Sequence, residues 1–134
     1  MSSKAIFEGL VVDETGRTLQ VTTVGGEAHY VIDDDGFLRH IDADLIDQQV
    51  VNVIQEQINA NKDLVEESMM KMLGSDDLFT KATLDVSLKD VGQALKRGIP
   101  DDARQWLGLM GFRVIVNLHG EVIQVKWPGF PAEE

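Results

Sequence analysis

The sequence predicts an α+β fold: an N-terminal antiparallel β-meander, a central helical segment that includes a long amphipathic helix, and a C-terminal β-hairpin. Three observations predict it. Residues 5–41 hold four short runs rich in Val, Ile, Leu, Phe and Thr, each ended by Gly or Asp. Then Ile46, Val50, Ile54, Ile58, Val65, Met69 and Leu73 recur four or seven apart, which is helical spacing. Finally, residues 112–127 return to strand-like alternation about His119-Gly120. A chain of 134 residues suits a single domain, with the meander at 5–41, helices at 42–111, the hairpin at 112–127 and a flexible tail at 128–134.

In the meander, residues 5–13 and 17–24 flank Thr15-Gly16, a tight turn with a left-handed glycine, and pairing Val12 with Leu19 and Leu10 with Val21 gives one apolar face. Gly25-Gly26 reverses the chain into residues 28–33, and Asp34-Asp35-Gly36 turns it again into 37–41.

The helical block opens at Asp42, a suitable N-cap, with Asp44 and Asp47 where the helix dipole favours anions. An unbroken helix over 42–73 would run about 48 Å, whereas a domain of this size measures roughly 36 Å across. It must break or overhang. The stripe is interrupted at Asn59-Ala60-Asn61, the expected break, and any overhang needs cover from a partner. Gly74 is the expected C-cap, and Ser75-Asp76-Asp77 starts a short helix ending near Ala82. Ser87 and Asp90 resemble a capping box for a further helix closed by Gly98, Pro100 suits a first helical turn, and Gly111 stops that last helix. About four helices result.

A two-residue loop at His119-Gly120 would pair Val116 with Ile123, Val114 with Val125 and Phe112 with Trp127 on one apolar face. Arg113, Asn117, Gln124 and Lys126 would lie on the other.

The formal charge is −11, and it is uneven: residues 1–61 carry eleven acids and three bases, against twelve and nine in 62–134. Phosphate backbones and anionic membrane surfaces need Lys and Arg, so nucleic acid and membranes are not expected as partners. A basic protein is the complementary partner, including one that an acidic surface would engage by imitating nucleic acid. No apolar run approaches the ~20 residues that cross a bilayer, the first residues lack a secretory core, and cysteine is absent. A cytoplasmic protein is expected.

No catalytic motif is specific enough to name a reaction. Asp33-Asp34-Asp35-Gly36 suggests calcium, but aligning Gly36 with an EF-hand glycine puts Val31 and Asp42 where an acid and a glutamate belong, leaving a solvated turn. His40, Asp42 and Asp44, with Asp47 and His29 nearby, form a thin candidate for a metal or ligand, short of the three or four ligands a transition metal normally takes. His119 is remote in sequence from any serine it could activate, no Gly-x-Ser-x-Gly is present, and Thr23-Val24-Gly25-Gly26-Glu27 lacks the rest of a phosphate loop. Arg113, Lys126 and Trp127 supply too few bases for single-stranded nucleic acid.

Met69, Met70 and Met72 stand out instead, because flexible thioethers suit adaptable contacts and the latter two widen the stripe beyond what one sheet needs. Val65, Met69, Met70, Met72 and Leu73 are therefore the expected interaction residues. The leading expectation is a non-enzymatic protein-interaction or adaptor module, a homodimer associating through its amphipathic helix, with no cofactor. The alternatives are a small metal- or ligand-binding enzyme using His40, Asp42 and Asp44, and an acidic inhibitor that mimics nucleic acid.

Overall fold

A computed structural model describes residues 4–126. The fold is α+β, with the antiparallel meander, the central helices and the C-terminal hairpin that the residue patterns call for. The chain divides into two compact units: the described residues of Met1–Val50 with those of Gly98–Glu134, and Val51–Arg97.

In the first unit, β1 (Val11–Val12), β2 (Gln20–Val24), β3 (Glu27–Asp34) and β4 (Phe37–Asp42) lead into α1 (Ala43–Ala60). β2, β3 and β4 form one antiparallel sheet. Alternation along β3 sends Ala28, Tyr30 and Ile32 into the core and leaves His29, Val31 and Asp33 half-buried on the other face. Asp35, at φ 54, and Gly36, at φ 92, make the β3–β4 turn, which Asp33 closes by accepting the Gly36 amide at 2.7 Å.

The first expected strand is mostly not a strand. Residues 5–10 coil through turns, with the Glu8 amide donating to the Ala5 carbonyl and the Leu10 amide to that of Phe7, and only Val11 and Val12 are extended. β1 pairs parallel with β5 (Arg113–Val116), not with a long second strand, and the Leu10–Val21 pair does not form. Coiling buries both Phe7 and Leu10, which a strand would send to opposite faces, and it sets the Phe7 ring 6.3 Å from that of Phe112. What survives of the hairpin is a Val12–Thr18 bridge. Asp13 Oδ1 fixes its turn by accepting from the Thr15 amide at 2.9 Å, the Thr15 hydroxyl at 2.6 Å and the Arg17 amide at 3.0 Å.

β6 (Val122–Lys126) completes a second sheet in the order β1-β5-β6. Val114 pairs with Val125 as expected, but Val116 pairs with Val122 and not Ile123, because a bulge intervenes and the loop is longer than two residues. Asn117 organises that loop, its Oδ1 accepting from the His119 and Glu121 amides. Gln49 of α1 pins it, donating to the Gly120 carbonyl and accepting from the Val122 amide, both at 3.0 Å. Ile123 consequently stands exposed. The expected Phe112–Trp127 pair and the 128–134 tail lie outside the described residues. α5 (Asp101–Leu109) belongs to this unit, and Pro100 occupies its N-cap position, one residue before the expected first turn. The core is built on Phe7, Leu10, Tyr30, Ile32, Ile46, Val50, Val114 and Val116.

In the second unit, residues 51–60 of α1 are followed by α2 (Lys62–Leu73), α3 (Leu78–Lys89) and α4 (Val91–Lys96). The long segment breaks at Asn61. Its amide donates to the Gln57 and Ile58 carbonyls, and its side-chain amide also donates to Gln57, so the end of α1 is satisfied where the stripe pauses. α2 ends at Gly74, at φ 69, in the paired bonds of a Schellman motif: the Gly74 amide to the Lys71 carbonyl and the Ser75 amide to that of Met70.

The expected stop near Ala82 and restart at Ser87 are not observed; α3 runs through both. Nothing in 82–89 breaks a helix, and Leu84 and Leu88, four apart, share its buried face. Asp77 caps α3, accepting the Phe79 amide. Gln55 then divides α3 from α4, donating to the Leu88 carbonyl at 3.0 Å and accepting the Gly92 amide at 2.8 Å. Among the described residues five helices stand where about four were expected.

Candidate functional site

Four clusters of polar or exposed side chains stand out among the described residues. The most buried is at Asp47, which lies among Ile46 and Val50 on the covered face of α1. Its Oδ1 accepts from the Tyr30 hydroxyl at 2.6 Å, its Oδ2 accepts the Ile6 amide at 2.9 Å, and Tyr30 in turn accepts the Phe7 amide at 3.2 Å. Burial pushes the Asp47 carboxyl up to about 6, against the opposing pull of the Tyr30 and Ile6 bonds and with help from the Asp44 charge. Burial, reinforced by Asp47, pushes the Tyr30 phenol up as well, so it remains a donor. Every polar atom here is engaged by the chain itself, and the cluster is a clasp that holds the coiled residues 5–10 to β3 and α1.

The second cluster is the His40, Asp42 and Asp44 group. Cross-strand register puts His29 opposite Asp42 and Val31 opposite His40, so both imidazoles and one carboxylate share the wetter face of the meander. His29 and Asp42 have other work: His29 Nδ1 lies 3.0 Å from the Glu27 carbonyl, and Asp42 accepts the Asp44 amide at 3.0 Å as the N-cap of α1. Among the described residues no group of three or more His, Cys, Asp or Glu side chains is arranged to hold a metal ion.

The third is the stripe. Ile46, Val50, Ile54 and Ile58, its α1 half, are buried, but its α2 half is not. Val65, Met69 and Met70 are half-buried, while Met72 and Leu73 stand 84% and 63% exposed. Across the Gly74–Asp77 turn, Leu78 and Phe79 of α3 are 81% and 78% exposed. Of the expected interaction residues, Met72 and Leu73 are exposed at this tip, while Val65, Met69 and Met70 are not.

The fourth cluster was not legible in the sequence. Two adjoining cavities, about 320 and 490 Å³, open between α2 and α3 and share Asp63, Glu66 and Lys81 as lining. Glu66 is only 3% exposed, and its Oε2 has no hydrogen-bond partner. Asp85, across the groove, is paired with Lys62 and lies 3.8 Å from Lys89. The Lys62 bond, with smaller contributions from Glu66 and Lys89, holds the Asp85 carboxyl below its ordinary value. Spacing alone hid this site: Glu66 sits in a charged stretch that reads as a solvated helix face, and only the return of α3 covers it.

No helix among the described residues is long and apolar enough to cross a membrane. Comparison with protein families, with curated proteins and with solved structures finds no match to this chain.

Proposed function

We propose that this chain is a non-enzymatic protein-interaction module that forms a homodimer through the α2 half of its amphipathic stripe. One observation supports the reading above others: Met72 and Leu73, with Leu78 and Phe79 just beyond the turn, are large apolar side chains left in water at one end of a small helical unit. A two-fold dimer places the same patch on both sides of the contact, so an apolar ridge ending in flexible methionines is self-complementary and repacks at little cost. The Asp47 and Asp42 carboxylates serve the fold, accepting from Tyr30 and from the Asp44 amide.

Light scattering on the chromatographically purified chain tests it. The wild type is expected to elute with the mass of two chains, and Met72→Glu with Leu73→Glu to shift it to one while leaving the circular dichroism unchanged. A wild type that stays monomeric at high concentration overturns the proposal.

A further inference from the structure

The groove between α2 and α3 opens on the face of α2 opposite Met72, and Leu78 lies both in its lining and in the exposed tip. At 3.6 residues per turn, Asp63, Glu66, Glu67 and Met70 share one face of α2, and Met72 falls roughly half a turn from them. That face lines the groove, with Leu78, Lys81, Ala82 and Asp85 of α3 opposite. The walls are therefore apolar at Met70, Leu78 and Ala82, and acidic at Asp63, Glu66 and Asp85.

The chain's own cations do not satisfy this site. Lys62 is committed to Asp85, and neither it nor the groove-lining Lys81 and Lys71 donates to Glu66 Oε2, which has no partner. A carboxylate oxygen enclosed without a donor is unfavourable.

From this geometry we infer that the α2–α3 groove is a binding site for a long basic side chain, Lys or Arg, presented by a second protein. The aliphatic stem would lie along Met70, Leu78 and Ala82, and the ammonium or guanidinium would donate to Glu66 Oε2 with Asp63 beside it. The two adjoining cavities, the smaller lined by Leu78 and Ala82 and the larger by Met70, together hold one such side chain with its stem. A second copy of this chain is the wrong occupant, since it would bring a strongly acidic protein, net charge −11, to an acidic groove. The inference goes beyond the homodimer reading and does not depend on it.

Amide chemical shifts of the isotopically labelled full chain, titrated with Nα-acetyl-lysine amide and Nα-acetyl-arginine amide, test the site. The norleucine analogue, which keeps the stem and lacks the charge, is the comparison. Saturable shifts are expected along α2 and α3 for the basic probes, with norleucine binding about tenfold weaker or worse. Glu66→Gln, which keeps the shape and removes the charge, is expected to weaken the basic probes by about tenfold and leave norleucine unaffected, and added salt is expected to weaken them further. Equal binding of norleucine and lysine probes to the wild type, or no localised shifts with either basic probe, overturns the inference even if Glu66→Gln does not fold. A folded Glu66→Gln that binds as wild type also overturns it. The Met72→Glu, Leu73→Glu variant should keep the site intact, so a failed dimer and a failed groove give separate results.

Discussion

At the scale of single residues, the buried carboxylates act in opposite directions. Asp47 is raised to about 6 by burial, above its ordinary value of 3.8, so the folded chain holds a proton that the unfolded chain has released. Lowering the pH from about 7 through 6 towards 4 should therefore stabilise the fold at this residue, by on the order of 3 kcal/mol in all. Denaturant titrations of the wild type and Asp47→Asn across that range check it: the wild type should gain on the variant as pH falls. For Asp13, burial would push the carboxyl up, but the Thr15 hydroxyl, the Arg17 and Thr15 amides and the Arg17 charge outweigh it and hold it down. Its contribution is present above its unfolded value and lost as pH falls through the depressed one. Gly120 carries a steric demand of another kind. It sits at φ 79, and an added Cβ would meet the Ile41 side chain at 3.0 Å, so Gly120→Ala should cost roughly 1–3 kcal/mol in thermal or denaturant unfolding. Gly120 is legible in the sequence as a turn residue. Asp47 is legible as a helix-start anion and not as a buried one, because its exposure depends on residues 5–10 coiling over it.

At the scale of elements, amphipathic spacing located the helices well and their ends less well. The break at Asn61, the stop at Gly74 and the cap at Asp42 follow from local chemistry: an asparagine that satisfies carbonyls, a glycine at positive φ and a carboxylate that accepts an amide. The division of α3 from α4 does not follow from local chemistry. It is made by Gln55, 33 residues before Leu88 and 37 before Gly92, a contact that no cap-spacing rule contains. Gln55→Ala leaves the Gly92 amide and the Leu88 carbonyl without these partners and should cost about 1–3 kcal/mol. Amide exchange should show it first, with faster exchange at Gly92 than elsewhere in the unit. The β-hairpin repeats the lesson on a smaller scale. Alternation placed Val114 opposite Val125, but Gln49 from α1 holds the loop end and the bulge moves Val116 onto Val122.

At the scale of the whole molecule, net charge and the apolar stripe bear on association. The net charge of −11 is the electrostatic ground for the basic side chain proposed in the α2–α3 groove. The apolar stripe divides by helix: its α1 half is core, while its α2 half ends in the exposed Met72 and Leu73. The dimer prediction belongs at this scale, because only the full chain shows which apolar side chains remain outside. If association is through that ridge, the stability of the second unit should rise with protein concentration, and the Met72→Glu, Leu73→Glu variant should lose that dependence. Melting curves over a wide concentration range check it.

The order of residues along the chain is enough to specify the fold class, the helical and strand periods, the main turns and the acidic character of the surface. These depend on backbone preference and on the spacing of apolar groups, which act over a few residues. Only the folded chain specifies that residues 5–10 coil, that β1 joins β5, that Gln55 and Gln49 cap distant elements, and that Glu66 is enclosed with one oxygen lacking a donor. Each of those outcomes depends on which side chain a remote segment brings within hydrogen-bond reach, and spacing along the chain carries no record of that.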